Sequence, residues 1–384
     1  MEFIYFDNAA TTFPKPLSVR KAVNRVISNY CANPGRSSHD LSLKAAEEVY
    51  LCRKKLSDFF NGKDENTVFT SSATHSINLG IKTVLRKGDH VLISDIEHNS
   101  VIRPIWALAE RGLITYTVYT AYESPEKQIS EIASKLTERT SLVCACHHSN
   151  ISCITLPINE IGHFCRKNKL HFLVDASQSA GLLPIDVEKD CIDILCAPSH
   201  KGLYGIPGGG FAIFGENIAK NGLLSSFIEG GNGINSENPS MPDFLPERFE
   251  AGTLPLPAIS ALSAGVDFVK TLSPQKILKK EKSLCAALRK ELLKLDRITI
   301  HSDNDGSILL FSVKGTPSED FAQALASYKI CVRAGLHCSP LAHAKLHTPS
   351  NGAVRVSFGA FNTFNEVERF AFVCKKILRS KAYL

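Results

Sequence analysis

From about Asn66 to Phe214 the chain alternates short β-rich runs with amphipathic stretches, and this alternation restricts its possible folds more than any other feature. Thr67–Thr70, Val91–Ser94, Leu142–Ala145, Phe172–Asp175 and Ile192–Leu195 are short apolar runs that read as strands. Gln128–Glu138 and Ile158–Asn168 carry helical periodicity between them. Strands about 25 to 40 residues apart with helical crossovers give an α/β fold with a largely parallel sheet. Ligands of such sheets bind beyond the carboxyl ends of the strands. The polar residues that follow each run are therefore where a site is to be sought.

The character changes at Gly222–Pro257, a loop-like stretch rich in Gly, Pro and Asn. A helix over Ala258–Leu272 leads into a second, smaller region. There Ser307–Val313 and Ala353–Ser357 read as strands, and Glu319–Ser327 and Asn365–Leu378 as helices. No internal repeat or low-complexity tract is visible.

Composition removes several function classes. The 384 residues are 44% apolar and 21% charged, the ordinary balance of a globular enzyme. No apolar run approaches the roughly 20 residues that would span a bilayer, and Met1–Thr12 lacks the basic and apolar regions of a secretory signal. A cytoplasmic location without membrane contact is expected. The net charge of +6 is dispersed, and its densest stretch, Lys276–Lys282, is interrupted by apolar residues like the solvated face of a helix. A nucleic-acid role is not expected. Twelve cysteines occur without a CxxC pair, which argues against a zinc ribbon or a thioredoxin-type site, and no metal site is expected. Eleven of them read as core or surface residues, small hydrophobes when buried.

The candidates for chemistry follow the strands. Lys201 stands among small residues after the run ending near Cys196, where a partly desolvated amine loses its proton easily; a surface loop lysine is the plain alternative. Asp175 ends a strand and can keep a pyridine nitrogen protonated, with Gln178 on the same side of a following turn. A helix cap is an equally good reading of that aspartate alone. Ser71–His75, including Ala73 and Thr74, precedes a helical run and offers N–H groups and hydroxyls to an anion, or merely caps the helix. His98 follows a strand too, and its imidazole can stack on a flat ring or move protons. Cys338 lies between Gly335 and Pro340 beside His337, with Arg333 just before, a turn whose positive surroundings favour a thiolate. Arg355, on a probable strand, presents a guanidinium fork suited to a carboxylate.

Taken together, Tyr5–Thr12, Asn33-Pro34-Gly35-Arg36, Phe69–Thr74, Glu97-His98-Asn99, Val174–Gln178, His200–Gly205, Arg248–Thr253 and Arg333–Cys338 form an ordered set. The chain so read resembles the class V aminotransferases of fold type I, in their cysteine desulfurase and selenocysteine lyase branch. The resemblance implies a large domain over residues 16–257 with a mainly parallel seven-stranded sheet. It also implies a smaller α+β domain over 258–384 carrying the cysteine loop, with residues 1–15 joined to the small domain and the site. It implies pyridoxal 5'-phosphate bound covalently by Lys201, with Asp175 on the pyridine nitrogen, Gln178 on the phenolic oxygen and His98 over the ring. Ala73, Thr74 and His200 would hold the phosphate, as would Thr253 of a second subunit in a homodimer. Asn150 would approach the cofactor or the substrate carboxylate, which Arg355, with Ala9 and Arg333 nearby, would clamp.

On this resemblance L-cysteine would become L-alanine, with a persulfide on Cys338 passed to an acceptor protein, as in iron–sulfur cluster assembly. L-Selenocysteine as substrate, aminotransferase or epimerase chemistry, and a silent scaffold are the alternatives. Departures are Pro198 in place of a phosphate-binding hydroxyl, with Ser199 as a possible substitute, and Ser72, His75, Cys153, Ile154 and Leu336 at other motif positions.

Overall fold

The computed structural model describes residues 3–35, 38–220, 225–234, 236–302 and 305–380. Arg36 of the Asn33–Arg36 motif and part of the stretch after Gly222 lie outside the described residues.

A seven-stranded sheet forms the centre. Its strands lie in the order Thr67–Thr70, Gly210–Phe214, Ile194–Pro198, His171–Asp175, Thr140–Cys146, His90–Ser94 and Thr115–Tyr119. Gly210–Phe214 runs antiparallel to both neighbours, and every other adjacent pair is parallel. The expected α/β architecture is therefore present. The inner strands are buried along almost their full length, which is why they read as continuous apolar runs rather than alternating ones. Cys144 and Cys196 sit inside them as small core residues, and burial raises both thiols well above their ordinary range.

Two strands of this sheet escape the sequence reading. Thr115–Tyr119 is a half-exposed edge strand and lacks an apolar run. Gly210–Phe214 begins with a glycine because a Cβ there would meet Ser72 backbone at 2.6 Å. The strand expected at Ile192–Leu195 lies at Ile194–Pro198. Asp193, just before it, is tied to the neighbouring strand through its carboxylate, which accepts from the Phe172 N–H (2.9 Å). Pro198 closes the strand at its last ladder position, where the missing N–H costs least. The helix expected at Gln128–Glu138 runs from Pro125 to Ser134, started by the Ser124 hydroxyl accepting from Lys127 N–H.

Beyond the Leu256–Leu272 helix, a four-stranded antiparallel sheet is ordered Arg333–Gly335, Ala353–Ser357, Ile308–Val313 and Ile298–Ile300. The helices Pro274–Leu292 and Phe364–Arg379 pack together, the second opened by a Thr363/Glu366 capping box. Phe6, Phe311, Phe321 and Phe370 fill this region's core. Ile4–Tyr5 pairs in parallel with Ile330–Cys331, and Asp7 bridges Ser357, so the N-terminal segment is held by the C-terminal third of the chain. Among the described residues no helix is long and apolar enough to cross a membrane.

Candidate active site

The carboxyl ends of the parallel strands, the N-terminal segment and the loop after Arg333 enclose a cavity of about 240 Å³. Its wall includes Ala9, Ala73, Thr74, His98, Asn150, Asp175, Gln178, His200, Lys201, Arg333, Cys338 and Arg355, which lie far apart in sequence.

Lys201 follows the strand Ile194–Pro198 on a loop braced from two sides. Thr12 N–H and the Lys15 ammonium both donate to the His200 carbonyl (3.0 and 2.9 Å), and the Thr12 hydroxyl also reaches the Lys201 carbonyl (3.2 Å). Gly202 is required next to the lysine, because a Cβ there would stand 2.4 Å from the Ala180 carbonyl oxygen. Burial lowers the Lys201 amine to about 8, with the Asp175 carboxylate opposing the shift. A neutral amine is thus accessible near neutral pH.

Asp175 ends the next strand and is buried. One of its oxygens accepts from the Ser177 N–H (2.9 Å) in a turn, and no helix begins there, so the carboxylate caps a turn and not the helix that the sequence allowed. His98 does cap a helix. Its Nδ1 accepts from the Ser100 N–H (3.1 Å) and caps the helix Asn99–Glu110. That bond leaves Nδ1 without a proton, and desolvation lowers the ring's pKa, so His98 is a neutral imidazole at the cavity. Thr74 Oγ1 meets Ser100 Oγ at 2.8 Å, tying the start of the Ala73–Val84 helix to that cap.

Ser199 sits differently from the sequence expectation. Ser199 does not compensate for Pro198: it is fully buried and its hydroxyl donates to the Ile206 carbonyl, while Pro198 itself lines the cavity. The bend that exposes Lys201 turns its neighbour inward. Asn150 commits both ends of its amide to the cysteine loop, donating to the His337 carbonyl (3.0 Å) and accepting from the Ser339 hydroxyl (2.7 Å). Thr253 is exposed and contributes nothing to the cavity of its own chain. Gln178 donates to the Ala9 carbonyl (2.9 Å), keeping a second amide hydrogen for a ligand.

Sequence reasoning missed Asp7, Lys15, Ser100, Ser339 and His343. Asp7 stands within the quoted Tyr5–Thr12 run but gave no local sign of facing Arg355. Cys146 lines the cavity, with its thiol donating to the His148 carbonyl (3.4 Å) and raised by burial, so it remains protonated.

Whether a phosphorylated pyridine aldehyde suits these residues can be tested on unfilled valences. Among the described residues, the buried His200 Nδ1 and Arg355 Nε have no hydrogen-bond partner, and both residues line the cavity. Burial lowers His200 to about 4, leaving a neutral ring able to donate to an anionic oxygen. The Ala73–Val84 helix points its N-terminus at the same space. Anion donors at one side, a carboxylate and a deprotonable amine at another match that group's three functions. No cluster of three or more His, Cys, Asp or Glu placed to hold a metal ion occurs among the described residues.

A family model described as aminotransferase class-V matches residues 4–370. A probable cysteine desulfurase of Methanothermobacter thermautotrophicus is 32% identical over 96% of this chain and 92% of its own length. A probable cysteine desulfurase of Pyrococcus abyssi is 30% identical over 99% and 95%. Among solved structures, the apo cysteine desulfurase from Thermococcus onnurineus NA1 superposes with a TM-score of 0.87 at 28% identity, covering 98% of this chain and 95% of that one.

Proposed function

The chain belongs to the class-V aminotransferase family, and from that premise we propose that it is a pyridoxal-phosphate-dependent cysteine desulfurase converting L-cysteine to L-alanine. The observation that carries this reading is Cys338: it is exposed, yet it lines the same cavity as Lys201, Asp175 and Arg355. A transaminase has no use for a sulfur nucleophile there.

When bound, pyridoxal phosphate supplies an electron sink for the charge left at the substrate Cα. The residues provide the rest. Lys201 would hold the cofactor through its aldehyde, and as a free amine it takes the Cα proton; its depressed pKa makes the unprotonated form accessible near neutral pH while keeping it basic. Asp175 would hold a proton on the pyridine nitrogen, with His98 beside the ring. Ala73, Thr74 and His200 would hold the phosphate, and Arg355 with Arg333 would orient the substrate carboxylate near Ala9. The Cys338 sulfur attacks the substrate sulfur. An S–S bond forms, the substrate C–S bond breaks with its electron pair leaving on carbon, and protonation of that carbon gives alanine. The persulfide on Cys338 then passes its outer sulfur to an acceptor protein, of the kind that sulfur-cofactor assembly requires. Thr253 serves the neighbouring site of a homodimer, which accounts for its exposure.

The test is to follow alanine and protein-bound sulfur after L-cysteine addition. Wild type forms alanine and a Cys338 persulfide seen as one added sulfur by mass spectrometry. Lys201→Ala loses the yellow, borohydride-reducible adduct and all product, whereas Cys338→Ala keeps the adduct and loses sulfur delivery. Full turnover of Cys338→Ala with an acceptor and no added reductant would sink the reading.

A further inference from the structure

Cys338 is held in an unfavourable backbone conformation by residues with no assigned role. His337 and Cys338 are consecutive non-glycine residues in the left-handed region, with φ of 51° and 55°. Side chains with a Cβ are disfavoured in this region, so the surroundings must over-determine the turn.

Two sets of bonds do so. Ser339, fully buried, donates its hydroxyl to Asn150 Oδ1 (2.7 Å), and Asn150 Nδ2 donates to the His337 carbonyl (3.0 Å), so one amide grips the loop on both sides of Cys338. The Asn99 N–H also donates to the Cys338 carbonyl (2.7 Å), one residue after His98. The second set is a chain through two buried, stacked imidazoles, with ring centroids 5.3 Å apart. His337 Nε2 lies 3.3 Å from the Arg333 carbonyl, which can only accept, so Nε2 carries the proton and Nδ1 accepts. Its partner at 3.0 Å, His343 Nε2, must then donate, leaving His343 Nδ1 to accept from the Thr348 hydroxyl at 2.7 Å. The tautomers of both rings are thereby fixed, and both are neutral. Burial, which lowers His343 to about 4, agrees with this order.

We propose that Ser339, His343 and Thr348 are positioning residues that hold the Cys338 thiol at the cavity rim, where the substrate sulfur and an incoming acceptor both meet it without loop movement. The proposal rests on the desulfurase reading and assigns that reaction's nucleophile a rigid mount. His343 acts through His337, and Ser339 through Asn150.

The experiment uses the cofactor-loaded enzyme with His343→Leu, His343→Gln and Ser339→Ala. His343→Leu and Ser339→Ala lower kcat for alanine formation from L-cysteine by about 10- to 100-fold, the effect of a misplaced nucleophile, with KM within about threefold. His343→Gln restores kcat, because a glutamine amide both donates to His337 and accepts from Thr348. Cα-hydrogen exchange of L-alanine in heavy water, which needs Lys201 but not Cys338, is unchanged in all three. In apo-protein, amide exchange across residues 334–339 speeds up by about tenfold in the Leu and Ala variants and not in the Gln variant. Unchanged kcat and loop exchange in His343→Leu and Ser339→Ala would overturn the brace, as would a kcat loss that glutamine does not rescue. Absence of Cα exchange in wild type would instead overturn the desulfurase reading, and the apo-protein exchange would still decide the brace.

Discussion

Arg355 Nη2 lies 2.9 Å from Asp7 Oδ1, and Arg333 Nε lies 3.3 Å from the other oxygen of the same carboxylate. Arg355 is almost completely buried and would be costly there without a counter-ion. Two guanidinium groups facing one carboxylate leave a single positive charge, the complement of one amino-acid carboxylate. Replacing Arg355 by Lys keeps the charge but loses the fork. KM for L-cysteine is expected to rise about 10- to 100-fold, the value of a charge-assisted hydrogen bond, with a smaller change in kcat. Steady-state kinetics checks this; an unchanged KM rules out the clamp.

Lys201 carries a sign that can be measured without any cofactor. Its folded pKa of about 8 lies below the ordinary lysine value, so the unfolded chain binds more protons between about pH 8 and 10.5. The resulting penalty is full below that window and disappears as pH rises through it. Apo-protein with Lys201→Met is therefore expected to be more stable than wild type at pH 7, by on the order of 1–3 kcal/mol. The two should converge toward pH 10.5 in denaturant titrations. A constant gap across that range would contradict the depressed amine.

His98 combines a cap with a place at the cavity, and the two roles separate by substitution. Asparagine caps helices well, so His98→Asn should stay within about 0.5 kcal/mol of wild-type stability, while His98→Ala loses about 1 kcal/mol. Both variants should alter the absorption of the bound cofactor. Equal stability of the two variants would show that the cap is unimportant.

Glu281, on the helix Pro274–Leu292, is buried with no hydrogen bond or ion pair among the described residues. Desolvation pushes its carboxyl up to about 8. The folded state then binds the extra proton between about pH 4.5 and 8, so stability from this group falls as pH rises through that window. Glu281→Gln should match wild type near pH 4.5 and exceed it at pH 8. Thermal unfolding across that range tests the expectation, and parallel curves would refute it.

Part of the candidate site could be read along the chain because several of its residues stand where strands that announce themselves end. Asp175, His98, Lys201 and the Ser71–His75 segment lie where short apolar runs end, and a parallel sheet sends those ends to one edge. The edge strand Thr115–Tyr119 was silent because half-exposed strands need no apolar run. Ser199 was misread because a hydroxyl in sequence next to Pro198 says nothing of which way the backbone turns. Asn150 lines the cavity, but its bonds to a loop nearly 190 residues away leave no trace in its local sequence.

The sequence by itself determined the alternation of elements, the chemical identity of the groups and their order. These depend on local periodicity and on side-chain type, which a linear chain carries in full. Only the tertiary structure decided that Asp7 meets Arg355, that Asn150 grips the loop of Cys338, and that the Arg333 carbonyl fixes the tautomer of His337 and through it that of His343. Those bonds depend on direction and on distances of about 3 Å between segments that are remote in sequence, and no local pattern encodes such a meeting.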